Sequence, residues 1–158
     1  MLLLASVASM PEKPLPSSMG GAAELLDITF EVITSSQVTA SMPVTPRHHQ
    51  PFGQLHGGVS VVLAESVASV GGYLAAPPDH TAVGVEINAN HVRAVSDGTV
   101  HAQATPLHVG QSTQVWDVKI YDDADRLVCV SRCTLAVIAQ NASPASEDSA
   151  ASGQETDS

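Results

Sequence analysis

One carboxylate stands alone in a long apolar run. Glu65 is the only charged residue between Arg47 and Asp79, and it lies near the middle of GGVSVVLAESVASVGGYLA, residues 57–75. An isolated carboxylate in apolar surroundings is costly unless it is paired, reaches water or does chemistry. Burial would raise its pKa toward the range useful to a general base. A glutamate reaching the exposed edge of its element, or capped by a partner from elsewhere, would do no chemistry. On these residues alone both readings stand.

His56-Gly57-Gly58 opens the same run. If the run is a helix, its first backbone N–H groups point outward and carry partial positive charge. Glycine lets a carbonyl approach those groups closely, which suits the stabilisation of a developing oxyanion. The plain alternative is a loop-to-helix transition that needs unusual dihedrals. Gly57 and Glu65 are about two helical turns apart and offset by about 80° around the axis. Ser69 lies one turn beyond Glu65, where its hydroxyl could bond the carboxylate or a water.

Other chemistries find less support. The seven histidines show no metal-ligand spacing, and no metal site is expected. There is no Gly-x-Ser-x-Gly nucleophile elbow and no phosphate-cradling Gly-Lys-Ser/Thr loop. Cys129 and Cys133 share a strand face about 13 Å apart, too far to bridge, and read as packing residues.

The chain that must position these groups has 158 residues, enough for one domain. Hydrophobic residues make up 44% of it but aromatics only 3%, so small aliphatics must fill the core. A formal net charge of −10 argues against nucleic acid and against an anionic membrane surface. The run from Gly57 is interrupted by Glu65 and glycines, so no membrane span is expected. The opening MLLLASVASM lacks a basic flank. With two unpaired cysteines, a cytoplasmic setting is the simple expectation. Residues 1–24, punctuated by Pro11, Pro14, Pro16 and Gly20-Gly21, read as a flexible lead-in. Residues 139–158 read as a disordered acidic tail carrying Glu147, Asp148, Glu155 and Asp157. The domain proper is 25–138.

Within it, strands are predicted over 26–34 and 37–43, then a helix over 57–75, then strands over 82–93, 98–105, 112–121 and 126–138. The helix is apolar on nearly every face, which predicts a buried one. Trp116, Val118 and Ile120 should share one strand face, with Asp117 and Lys119 on the other. Ser96-Asp97-Gly98 and Asp122–Asp125 read as hairpin turns, so an antiparallel meander is the natural connectivity. One helix across one antiparallel sheet of five or six strands satisfies both lengths, an α+β architecture.

Gln50, His56 and Glu65 stand at intervals of six and nine within QPFGQLHGGVSVVLAESVASVGGYL. With GVEINANHVR and PLHVGQSTQVWDVKIYDDADRLVCVSRCTLAVI, this pattern resembles the hotdog-fold acyl-CoA thioesterases of the phenylacetate/4-hydroxybenzoyl-CoA type. The likeness runs from about Leu26 to Ile138 and is greatest to the branch acting on naphthoyl-CoA esters. It implies a hotdog fold, a long helix wrapped by the sheet, with two protomers joined edge to edge and dimers pairing into tetramers. It also implies an acyl-CoA substrate, preferably aromatic, and no cofactor. Glu65 would be the catalytic carboxylate, as nucleophile or as base toward water. The Gly57 N–H would polarise the thioester carbonyl, with His56 and Gln50 around it and Ser69 orienting the attacking water. Coenzyme A would be held by Gly84, by His91, Val92, Arg93 and Ala94, and by His108, Val109, Gly110, Gln111, Ser112 and Thr113. Arg93 also reads plainly as a surface charge at a strand end. The relatives place a basic residue where this chain has Gln111-Ser112-Thr113, so a weak grip on the nucleotide is expected. A broad aryl/acyl-CoA thioesterase and a non-catalytic acyl-CoA-binding module remain as alternatives. A hotdog dehydratase would ask for a different placement of His and carboxylate.

Overall fold

Ser60, Leu63, Ala64, Val67, Ala68, Gly71 and Gly72 recur at intervals of three and four, and all are buried along one stripe of helix α2 (Gly57–Ala75). Four glycines and five valines make its 19 residues a poor helix former in isolation. Packing must hold it. The computed structural model describes residues 13–15 and 17–140. The readings placed on residues 1–12 and on tail residues 141–158 lie outside the described residues.

Around α2 run the short helix α1 (Gly21–Leu25) and six strands: β1 (Thr29–Ile33), β2 (Val38–Pro43), β3 (His80–His91), β4 (Thr99–Val109), β5 (Thr113–Asp122) and β6 (Leu127–Ala139). They form one antiparallel sheet in the order β1-β2-β4-β5-β6-β3. α2 crosses this sheet and packs against β2, β3, β4, β5 and β6. This is the hotdog arrangement. By length and composition alone α2 could cross a membrane; its buried stripe lies instead on the sheet.

The small residues of that stripe decide how closely helix and sheet approach. A Cβ on Gly71 would stand 2.5 Å from the Trp116 ring, and one on Gly72 would overlap Leu135. Trp116, Val118 and Ile120 are fully buried on β5 while Lys119 is exposed, so the predicted alternation holds. The fully buried Gln114 donates from Nε2 to Gly72 O (3.1 Å) and accepts from Trp116 Nε1 (2.9 Å). That bridge fastens the C-terminal half of α2 to the sheet.

Two expectations need correction. The strands are not a simple meander, because β3 pairs with β6 at one edge and β4 pairs with β2 and β5. Ser96-Asp97-Gly98 therefore does not close a hairpin. The segment 92–98 is a crossover: Val92 N donates to Val128 O, Leu55 N to Val95 O, and Val44 N to Gly98 O. Nor is α2 fully buried all round. Only the stripe facing the sheet is; Glu65, Ser66, Ser69 and Val70 are half-buried.

Candidate active site

The first turn of a helix leaves four backbone N–H groups to be satisfied. In α2, Val59 N and Ser60 N donate to His56 O, and Gly58 N donates to His56 Nδ1 at 2.9 Å. The Gly57 N–H has no acceptor among the described residues. It is a free donor at the positive end of the helix dipole, the requirement for holding a developing oxyanion. Because Nδ1 of His56 accepts, the neutral ring carries its proton on Nε2, available as a second donor.

A bare Cα at position 57 is needed for contact. His91 packs its imidazole there, and a Cβ on Gly57 would stand 2.9 Å from His91 Nε2. Gln50, Gly57, His91, Val92, Arg93 and Ala94 all line one cleft of about 420 Å³. Arg93 Nε reaches Leu127 O at 3.3 Å, and its guanidinium forms no ion pair among the described residues. The loop carrying Gln50 is knit by Gln50 N to Gln54 O and by Phe52 N to Gln50 Oε1. It lifts Phe52 into solvent, 87% exposed.

Glu65 lies elsewhere. Eight residues along α2 put it about 12 Å from Gly57. Its carboxylate lies against Gly84, where a Cβ would overlap Oε1. A register shift in β3 between Gly84 and Glu86 marks a bulge at this point. Among the described residues Glu65 accepts no side-chain hydrogen bond and forms no ion pair, and no bond joins it to Ser69. Both line a second cleft of about 320 Å³ with Met19, Ala22, Phe30, Val62, Ser66 and Val70. Glu65 and Glu86, together with burial, push the nearby Cys133 thiol up to about 12, burial acting most.

The stretch His108–Thr113, expected as a loop, is the end of β4, a tight turn over Gly110–Ser112 and the first residue of β5, and it lies at a third place. Gly110 N donates to Thr113 O, Val137 N donates to Ser112 O, and the His108 ring folds over Gly110. His91 pairs with Cys129 and Thr113 with Ala136 on β6. Seven residues of that strand, about 24 Å, separate this stretch from the Arg93 cleft.

The structure thus gathers Gln50, Gly57 and His91–Ala94, and separately Glu65, Ser69 and Gly84. It does not bring these groups or the 108–113 stretch together within one chain. Sequence reasoning missed Met19, Phe30, Val62 and Val70 as companions of Glu65. The helical spacing of Val62, Ser69 and Val70 around Glu65 was a usable signal; Met19 offered none. Among the described residues no three His, Cys, Asp or Glu side chains gather as a metal site.

A long helix laid on a six-stranded antiparallel sheet is the architecture this chain shares with hotdog-fold thioester hydrolases. The family pattern described as Thioesterase superfamily matches residues 52–129, and the chain belongs to that family. It is 50% identical over 119 residues to a 1,4-dihydroxy-2-naphthoyl-CoA hydrolase from Escherichia coli (strain K12), covering 75% of this chain and 88% of that one. It is 43% identical over 122 residues to a proofreading thioesterase from Cronobacter sakazakii, covering 77% of this chain and 89% of that one. A thioesterase structure from Haemophilus influenzae superposes with a TM-score of 0.75 at 42% identity, covering 82% of this chain and 96% of that one.

Proposed function

We propose that this chain hydrolyses an aromatic acyl-CoA, 1,4-dihydroxy-2-naphthoyl-CoA of menaquinone biosynthesis, to the free acid and coenzyme A in the cytoplasm. The observation that carries the reading is that Gly57 and Glu65 line different clefts, with about 12 Å of helix rise between their backbones. Neither half acts alone at that distance. A second copy, joined along the β3 edge, would set its Gly57 across from Glu65 and complete the site. That edge strand exposes Val83 (40%) and Val85 (66%), surface suited to such pairing. Pairs of dimers would make the assembly.

In the completed site the thioester oxygen takes hydrogen bonds from the Gly57 N–H and from His56 Nε2, with Gln50 beside them. Charge developing on that oxygen is thereby stabilised. Glu65 then acts in one of two ways. As nucleophile, a carboxylate oxygen bonds the carbonyl carbon, the C–S bond breaks, the thiolate leaves and takes a proton, and water hydrolyses the mixed anhydride. As base, it removes the proton of a water, oriented by Ser69, that attacks the same carbon; the C–S bond then breaks and the leaving thiolate takes that proton from Glu65. His91, Val92, Arg93 and Ala94 flank the pantetheine, Gly84 leaves room at the carboxylate, and the 108–113 stretch offers amides and hydroxyls to the nucleotide. With six Lys+Arg in the whole chain, the grip on its phosphates is weak.

The 50% identity to a naphthoyl-CoA hydrolase supports the substrate. The 43% identity to a proofreading thioesterase favours a second reading, a broader aryl- or acyl-CoA thioesterase. Steady-state kinetics on naphthoyl-, benzoyl-, phenylacetyl- and alkyl-CoA thioesters separates the two: kcat/KM on short alkyl esters comparable to that on the naphthoyl ester removes the first. Glu65→Gln is expected to lower turnover at least about a hundredfold while acyl-CoA binding persists. Unchanged turnover removes Glu65 from the chemistry.

A further inference from the structure

The Glu65 cleft does not end at Ser69. A second cleft of about 450 Å³, mostly apolar, continues along α2 and is lined by Pro14, Leu15, Tyr73 and Thr81. Met19, Ser69 and Val70 line both. Ser69 and Val70 belong to the helix, so Met19 is the one residue of the segment before α1 that borders both clefts. Each cleft alone falls in the range of small-molecule pockets, about 300–1,000 Å³.

That segment is fastened rather than draped. Lys13 Nζ donates to Tyr73 O (3.3 Å), Pro77 O (3.2 Å) and His80 O. Carbonyls at a helix C-terminus lack intrahelical donors and carry partial negative charge, so an ammonium there is favourable. The same ammonium lies 4.0 Å from the Tyr73 ring centroid, a cation–π contact. Tyr73 Oη in turn donates to Pro14 O at 2.8 Å. Two anchors at Lys13 and Pro14 therefore tie this stretch, and Leu15 next to it, to the C-terminal end of α2.

We infer that Leu15 and Met19, on the chain before α1, wall the acyl chamber of this enzyme and that Met19 sets its depth. The inference rests on Glu65 being the hydrolytic carboxylate. An acyl group whose carbonyl sits at Glu65 extends past Ser69 and Val70 and meets the Met19 side chain. A flat ring system stops there, and an unbranched thioether suits a ring face or edge. A long alkyl chain must displace Met19 to enter the second cleft.

The experiment compares wild type, Met19→Ala, Met19→Leu and Met19→Phe on benzoyl-, naphthoyl-, hexanoyl- and dodecanoyl-CoA, with thermal melts confirming that each folds. Met19→Ala joins the two clefts, and the ratio of kcat/KM for dodecanoyl- over benzoyl-CoA is expected to rise at least tenfold. Met19→Leu is expected to hold that ratio within threefold. Met19→Phe is expected to lower kcat/KM on the naphthoyl ester through KM. A ratio unmoved in Met19→Ala, with wild-type turnover intact, overturns the role of Met19 and leaves the hydrolase standing. A wild-type chain without turnover on any of the four overturns both.

Discussion

Gly84 turns a bare Cα toward the Glu65 carboxylate, so close that a Cβ there would overlap Oε1. The β3 bulge that follows it shifts the strand register at the point where α2 carries its only charge. A glycine here leaves space for the carboxylate rather than freedom for the backbone. Gly84→Ala should push Glu65 aside, since the atom in the way is the far end of a flexible side chain. With Glu65 in its proposed role as the reacting carboxylate, misplacement by about 1 Å costs on the order of 100-fold. Stopped assays on purified Gly84→Ala are expected to show kcat down by about that factor, KM little changed and the melting temperature nearly unmoved.

The bridge from Trp116 through Gln114 to Gly72 is wholly buried. Gln114→Leu keeps the bulk and removes the acceptor of the indole N–H. A buried donor left without a partner costs about 1–3 kcal/mol. Urea denaturation should show a loss of that size with an unchanged slope; a Gln114→Leu chain as stable as wild type would mean that water or another carbonyl reaches the indole.

Acid should loosen the turn between β5 and β6. Asp122 receives Arg126 Nε at 2.8 Å on Oδ2, and Ala124 N and Arg126 N at 3.0 Å each on Oδ1. The Arg126 side chain foremost, then the backbone donors, hold the Asp122 carboxyl below the usual carboxylate range. The folded form thus binds fewer protons here than the unfolded form does. Its contribution to stability is complete above the unfolded value, about 3.9, and is lost as pH falls through the lower folded value. Denaturation midpoints taken from pH 6 to pH 2 should fall below about pH 4 in wild type and fall less steeply in Asp122→Asn.

Both thiols should be inert in the folded chain. Cys129 and Cys133 are fully buried, burial pushes both thiols up, and Cys133 reaches about 12. Thiolate is the reactive form. Titration with a chromogenic disulfide at pH 8 is expected to find no reactive thiol in native protein and both after unfolding.

Much of this was readable because it is local. The spacing Gly57–Glu65–Ser69 belongs to one helix, and the alternation along Trp116–Ile120 to one strand, so periodicity alone locates them. The meander failed because the Asp97-Gly98 turn signal says that the chain bends, not which strand it then joins. The crossover is decided by bonds from Leu55 and Val44, far away in sequence. Helix α1 and the anchoring of Lys13 were invisible for the same reason: Pro and Gly punctuation reads as a lead-in, and a lysine reaching carbonyls at residues 73, 77 and 80 leaves no pattern. His48 likewise gives no signal, yet it is fully buried, with Nδ1 at Thr45 N and Nε2 at Leu26 O.

Trp116 is the chain's one tryptophan, and its indole lies directly beneath Gly71 of α2. Intrinsic fluorescence excited at the indole therefore reports on a single place, the seam between helix and sheet. With the indole fully buried, emission is expected to be blue-shifted and shielded from a soluble quencher while α2 stays seated, and to move to the red when it lifts. The protein carries a label-free optical gauge of its own helix docking.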